Sequence, residues 1–226
     1  MTIPLLYTAE LDLEEADVEP FLQWYAWRHA PDVYQAGFQT CTCYRVLDGD
    51  MNLFDLYELP SWDLFETERY QGMRGRDPYM DALMAKRRNK AHTVYRQCVI
   101  APDASRPSLD ADWISVFRFT VPDDADETIA AILTRHQPLL AASGLRRIRY
   151  ALRGEDHPRN PTFRPRSMVV AEWDDRPPQD CGIPVLLFDA AGEAIQDDSA
   201  FVGERVYPWP DSGVVPARSG FIKKGR

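Results

Sequence analysis

Hydrophobic positions along the chain fall into two kinds of run. Leu5 to Leu11, Thr40 to Leu47, Leu53 to Leu59 and Thr93 to Ile100 are short and rich in β-branched and aromatic residues, which predicts strands. Trp113 to Phe119, Arg146 to Leu152, Met168 to Trp173 and Phe201 to Tyr207 read the same way. Other runs have helical spacing. Leu22, Tyr25, Ala26 and His29 stand at i, i+3, i+4 and i+7, and Ile129, Ile132, Leu133 and His136 repeat that pattern. The acidic run Asp12 to Glu19 predicts the first helix start, with Pro20 in its first turn. Asp123, Asp124, Asp126 and Glu127 load the N-terminus of the second with negative charge, as the helix dipole favours.

The two helical runs belong to a duplication. Arg28-His29-Ala30-Pro31 with Gly37-Phe38 matches Arg135-His136-Gln137-Pro138 with Gly144-Leu145 at a constant offset of 107. The reading is an α+β protein of two tandem β-α-β-β-(α)-β units whose antiparallel sheets pack face to face. Residues 1–100 form the first unit, 101–111 a linker, 112–207 a diverged second unit and 208–226 an irregular tail. Asp77-Pro78 starts a second helix in the first unit. At the matching place Ile183 to Phe188 reads as a strand and Asp189 to Glu193 as a turn, so the second unit is expected to have lost or shortened that helix. Glu155 to Arg166, with three prolines and three arginines, reads as a long loop that could gate a site or grip a carboxylate.

The stretch His136-Gln137-Pro138-Leu139-Leu140 with Gly144-Leu145 resembles the helix-end motif of EthD-like proteins in the dimeric α/β-barrel superfamily. His29-Ala30-Pro31 with Gly37-Phe38 looks like a diverged copy of it. The resemblance implies ferredoxin-like units pairing into a barrel, here within one chain, and leaves room for a further homodimer. It also implies a mixed set of activities: cofactor-free oxygenation of phenols, isomerisation, cyclisation, dehydration and haem chemistry. Fold therefore does not fix function.

Composition narrows the classes. A net charge of −9 argues against nucleic acid and against anionic membranes as partners. No run approaches the ~18 apolar residues of a membrane span, and no signal peptide is recognisable at the N-terminus. Four cysteines in 226 residues make no disulfide framework, so reduced thiols and a cytoplasmic location are expected. No Gly-rich phosphate loop, nucleophile elbow or dinucleotide fingerprint is present. Lys86-Arg87-Arg88-Asn89-Lys90 reads as a helix-end complement to the dipole.

The candidate chemistry is acid–base. His29 and His136 each close an inward helical stripe; at a helix C-terminus an imidazolium is favoured, though a helix-stopping role would give the same pattern. Tyr7, Tyr44, Tyr57 and Tyr95 lie on four different strands of the first unit and could converge on one face as donors to an oxyanion. Asp55 is a carboxylate in an apolar strand, hence a candidate base, unless a salt bridge to Arg45 or Arg96 explains it. His92 is an alternative base. Trp24, Trp27 and Phe54 could wall a pocket, with Tyr7 among the binding groups. Cys41 and Cys43, even with Cys98, lack zinc-site spacing, and no metal is expected. The expected function is a cofactor-independent enzyme on a small aromatic or polyketide-like substrate: a cyclase, isomerase or lyase using His/Tyr proton transfer. The alternatives are a haem protein with His136 or His92 as axial ligand, and a non-catalytic ligand-binding barrel.

Overall fold

A computed structural model describes residues 3–73, 78–102, 109–158 and 164–208. Asp77, Arg159, most of the expected linker and nearly all of the tail lie outside these residues. The strands are β1 (Leu5–Asp12), β2 (Thr40–Val46), β3 (Leu53–Leu59), β4 (Arg88–Ala101), β5 (Trp113–Thr120), β6 (Leu145–Arg153), β7 (Ser167–Trp173) and β8 (Gln196–Tyr207). They form one closed antiparallel barrel in the order β1-β3-β2-β8-β5-β7-β6-β4. Each half supplies four neighbouring strands in the same relative order. The two sheets do more than face each other: their edges hydrogen-bond, β2 to β8 and β4 to β6, so neither sheet keeps an open edge.

Strand alternation sorts every side chain to the lumen or to the helix-covered outside. Leu6, Tyr44, Phe54, Leu56, Tyr95, Ile114, Val116 and Met168 fill the lumen. Tyr7, Leu53 and Tyr57 face outward beneath the first helices. The lumen also holds charge. Glu10 is the sixth residue of β1 and Arg118 the sixth of β5, and they pair across the lumen at 2.6 Å. Glu58 and Glu172 hold equivalent positions on β3 and β7, and Arg149 of β6 serves both, at 2.6 and 2.5 Å. The position matching Arg149 in β2 is Thr42. Opposite charges at equivalent positions favour the pairing of one half with the other over the pairing of like halves.

The helices are α1 (Glu15–Trp24), α2 (Ala30–Ala36), α3 (Glu68–Gly72), α4 (Pro78–Ala85), α5 (Asp126–Ala141) and α6 (Ile183–Ala191). α1 begins at Glu15, so Pro20 falls inside it rather than in its first turn. A π-helical turn, Tyr25–His29, joins α1 to α2 without a break. His29 therefore does not end its helix, and His136 lies inside α5. The stops are the glycines of the repeated motif, Gly37 (φ 110°) and Gly144 (φ 90°). At the first, Gly37 N–H donates to Tyr34 and Phe38 N–H to Val33. No side chain crowds the Gly37 Cα closer than Leu64, 3.4 Å from where a Cβ would stand. Gly37→Ala is thus expected to cost about 1–2 kcal/mol through backbone conformation alone, a drop that a thermal melt would register.

The second half has neither lost nor shortened its second helix: α6 has 9 residues and α4 has 8. Ile183 to Ala191, expected as a strand and turn, is α6. Gly182 turns the chain (φ 73°), Pro184 sits in the first turn, and Ile183 and Leu187 bury one helical face on α5. A short apolar run fits strand or helix equally well; here the core contact decides. No described helix is long and apolar enough to cross a membrane.

Candidate functional site

The outer face of the first half's sheet, under α1 and the π turn, carries a connected set of polar side chains. Asp55 and Tyr57 point out from β3 and are buried. Tyr57 donates to Asp55 Oδ2 at 3.3 Å. Tyr25, from the π turn, donates to the Tyr57 oxygen at 3.0 Å, and Cys41 Sγ on β2 donates to Tyr25 at 3.2 Å. His29 Nε2 lies 3.2 Å from the same Tyr57 oxygen. The single Tyr57 proton is committed to Asp55, so His29 must carry its proton on Nε2 and present Nδ1 as an acceptor. Every hydrogen bond then runs toward one carboxylate. Tyr25 and His29, four residues apart at the two ends of the π turn, share one face of the helix and both reach the Tyr57 oxygen.

Burial sets the electrostatics. Among the described residues Asp55 has no cationic partner: Arg45 pairs with Glu15 and Arg96 with Glu155, which removes the expected salt bridge. Burial raises the Asp55 pKa to about 7, against the opposing pull of Cys43, Tyr57 and Tyr25 hydrogen bonds. The imidazole of His29 is pushed down to about 4 by the same desolvation, so it is neutral at pH 7 and not the imidazolium that a helix end would favour. Trp24 stacks on it at 5.0 Å.

A second group continues the first. The Tyr7 ring is 5.3 Å from Tyr57 and forms a three-ring cluster with two imidazoles, His92 at 5.8 Å and His157 at 5.4 Å, which are 5.6 Å from each other. Tyr7 Oη and His92 Nδ1 are 2.5 Å apart, and Tyr70 Oη and His157 Nε2 are 3.0 Å apart. His157 is buried and comes from the loop after β6, so the second half lends a side chain to the first half's face. Sequence reasoning passed over it. Its loop has no periodicity, and only the three other histidines stood on patterned segments.

The expected set is thus divided. His29, Asp55, Tyr57, Tyr7, His92 and Trp24 come together on the outer face. Tyr44, Tyr95 and Phe54 do not join them, because alternation turns them into the lumen. Tyr44 donates there to the Ala111 carbonyl at 3.2 Å, and Thr42 to that of Leu109 at 2.5 Å, tying down the segment between the halves. Trp27 is 52% exposed and lies outside this buried set. Cys41 and Cys43 face out beneath the helices while Cys98 is exposed. Among the described residues no group of three or more His, Cys, Asp or Glu is placed to hold a metal ion.

No protein-family model and no curated protein matches the chain. Solved structures do. An anthrone oxidase-like protein superposes with a TM-score of 0.61 at 11% identity, covering 90% of this chain and 91% of the other. A candidate monooxygenase from Lactobacillus acidophilus NCFM gives 0.58 at 10% identity over 100% of both chains. A heme-binding protein from Thermus thermophilus gives 0.53 at 12% identity, covering 91% and 92%. At such identities the likeness is one of fold: the chain has the dimeric α/β-barrel fold, with both halves of the barrel on one polypeptide.

Proposed function

We propose that the protein is a cofactor-independent enzyme that abstracts a proton from a small aromatic ketone or phenol, with the cyclase, isomerase or lyase step following from the anion formed. One observation carries the reading: the hydrogen bonds of His29, Tyr25, Cys41 and Tyr57 all terminate on Asp55, a buried carboxyl with a pKa near neutrality. In the proton step, His29 Nδ1 takes the substrate proton. Nε2–H passes to the Tyr57 oxygen as the Tyr57 proton moves to Asp55 Oδ2. Three protons shift, no charge is left on the imidazole, and Asp55 ends as the neutral acid that its burial favours. Tyr7 and His92 extend the polar face and are the groups available to steady a developing oxyanion. The oxidase-like and monooxygenase neighbours support a variant of the same chemistry, in which the anion is handed to dioxygen.

The acid–base reading accounts for more of these residues than haem does. The His92 ring is held against Tyr7 and His157 on its faces. The sheet face beneath α5 is filled by Ile129, Leu133, Ile148 and Tyr150, and His136 is not among the buried residues there. No step is routed through haem.

Exchange of the acidic C–H of anthrone in D2O, followed by NMR, tests the reading without committing to a downstream product. Exchange above the buffer rate is expected, and Tyr57→Phe should lower it by breaking the link between His29 and Asp55. Exchange at the buffer rate, with a Soret band in the purified protein, would overturn it.

A further inference from the structure

The helices that cover the second half turn large apolar side chains to water. Leu139 on α5 is 69% exposed, and Val185 and Phe188 on α6 are 54% and 60% exposed. On α1, which covers the first half, Glu15, Glu19 and Gln23 take the outward positions instead. Single apolar residues on a surface need no explanation, but these three are grouped. The start of α6 sits beside the last turn of α5: a Cβ on Gly182 would stand 3.6 Å from Leu140 Cδ2. Val185 and Phe188 share the side of α6 turned away from Ile183 and Leu187, its buried face. α6 is therefore apolar on both sides, as suits a helix covered on both sides.

The charges beside the group select what covers it. Arg135 precedes Leu139 by one turn of α5, and Asp189 follows Val185 by one turn of α6. Both are exposed, and neither makes an ion pair among the described residues. A face that carries one cation and one anion beside an apolar centre is complementary to itself after a twofold rotation. Area sets the strength of such a contact. The outer faces of two adjacent helices of 16 and 9 residues, paired with a copy of themselves, bury on the order of 1,000 Å², the lower end for a specific interface. The charge of −9 on each copy opposes association, and salt screens it.

We propose that the outer face of α5 and α6 is the interface of a twofold homodimer, with Leu139, Val185 and Phe188 at its centre and Arg135 of each copy opposite Asp189 of the partner subunit. The relay belongs to the first half and takes no part in this contact.

Sedimentation equilibrium of the full chain up to about 100 µM tests this, because an interface of this size implies a micromolar Kd. A monomer–dimer equilibrium is expected. Phe188→Glu should weaken it at least about tenfold by placing a charge at the centre. Arg135→Glu and Asp189→Arg should each weaken it about threefold to tenfold, since each sets like charges together at two places in the dimer. All three positions are exposed, so the variants should melt as the parent does. Mixing Arg135→Glu with Asp189→Arg should restore the parental affinity, because in the mixed dimer every reversed charge meets its opposite. A parent that stays monomeric at about 100 µM, a dimer that Phe188→Glu leaves intact, or a mixture no tighter than the separate variants overturns the proposal. So does a monomeric parent that binds phosphatidylcholine vesicles and loses that binding in Phe188→Glu, which would assign the face to a membrane.

Discussion

Arg149→Ala is expected to destabilise the protein by about 3–5 kcal/mol, the largest effect of any single truncation considered. The guanidinium is buried in the lumen and is the donor that Glu58, Glu172 and Gln97 share, at 2.6, 2.5 and 3.0 Å. Without it, among the described residues, Glu172 keeps Arg147, at 3.4 Å, and Glu58 keeps a 3.4 Å bond from Thr40. Burial already raises the Glu58 pKa, with Arg149 as the main force pulling it back. In the variant Glu58 should therefore take up a proton on folding, and the loss should grow as pH rises. Replacing the whole set by apolar groups, Arg149→Met with Glu58→Met and Glu172→Met, should recover most of the stability, because no charge is then left unpaired. Chemical denaturation at pH 5 and pH 8 measures all of this. A single-variant cost below about 1 kcal/mol would show that water or repacking already neutralises the two carboxylates.

The second large effect is on turnover. Asp55→Asn should lower proton abstraction by roughly 10²–10⁴, the usual worth of a positioned acid–base group. In the parent, activity should rise with pH through about 7, as Asp55 becomes the empty acceptor at the end of the relay. The same groups leave a mark on stability that needs no substrate. Asp55 has a folded pKa above its unfolded value, so its contribution is full below pH 4 and is lost as pH rises toward 7. His29 has a folded pKa below its unfolded value, so its contribution is full above pH 6.5 and is lost as pH falls toward 4. A displacement of about three pH units corresponds to roughly 4 kcal/mol, so each slope is measurable alone. In the parent they oppose one another across the same window. Asp55→Asn should expose the histidine slope, with stability falling on acidification from 6.5 to 4. His29→Gln should expose the opposite slope, with stability falling as pH rises from 4 to 7. Parallel pH profiles for parent and both variants would mean that neither group is desolvated as the packing implies.

These expectations rest on unequal shares of sequence and structure. The strand and helix order, the duplication and the antiparallel α+β class were legible from residues 5–207 because they depend on local periodicity and on motifs repeated at one offset. The repeated glycines, Gly37 and Gly144, were legible as landmarks, though the histidines beside them were credited with ending the helices. Asp55 stood out because a lone carboxylate in the apolar strand Leu53–Leu59 needs a reason. Alternation also said that Asp55 and Tyr57 share a face. It could not say which face of each strand becomes lumen, so Tyr44 and Tyr95 could not be separated from Tyr7 and Tyr57: that depends on inter-strand register and barrel closure, which are non-local. The π turn at Tyr25–His29 has no periodic signature, and α6 was ambiguous until its contact with α5 selected the helix. His157 lies in a loop held by contacts with residues far away in the chain, the Tyr70, Tyr7, Phe65 and His92 rings among them. Sequence alone determined the elements and the kinds of chemistry available; closure of the barrel decided which of those groups meet, because only tertiary contacts set the distance between residues far apart in the chain.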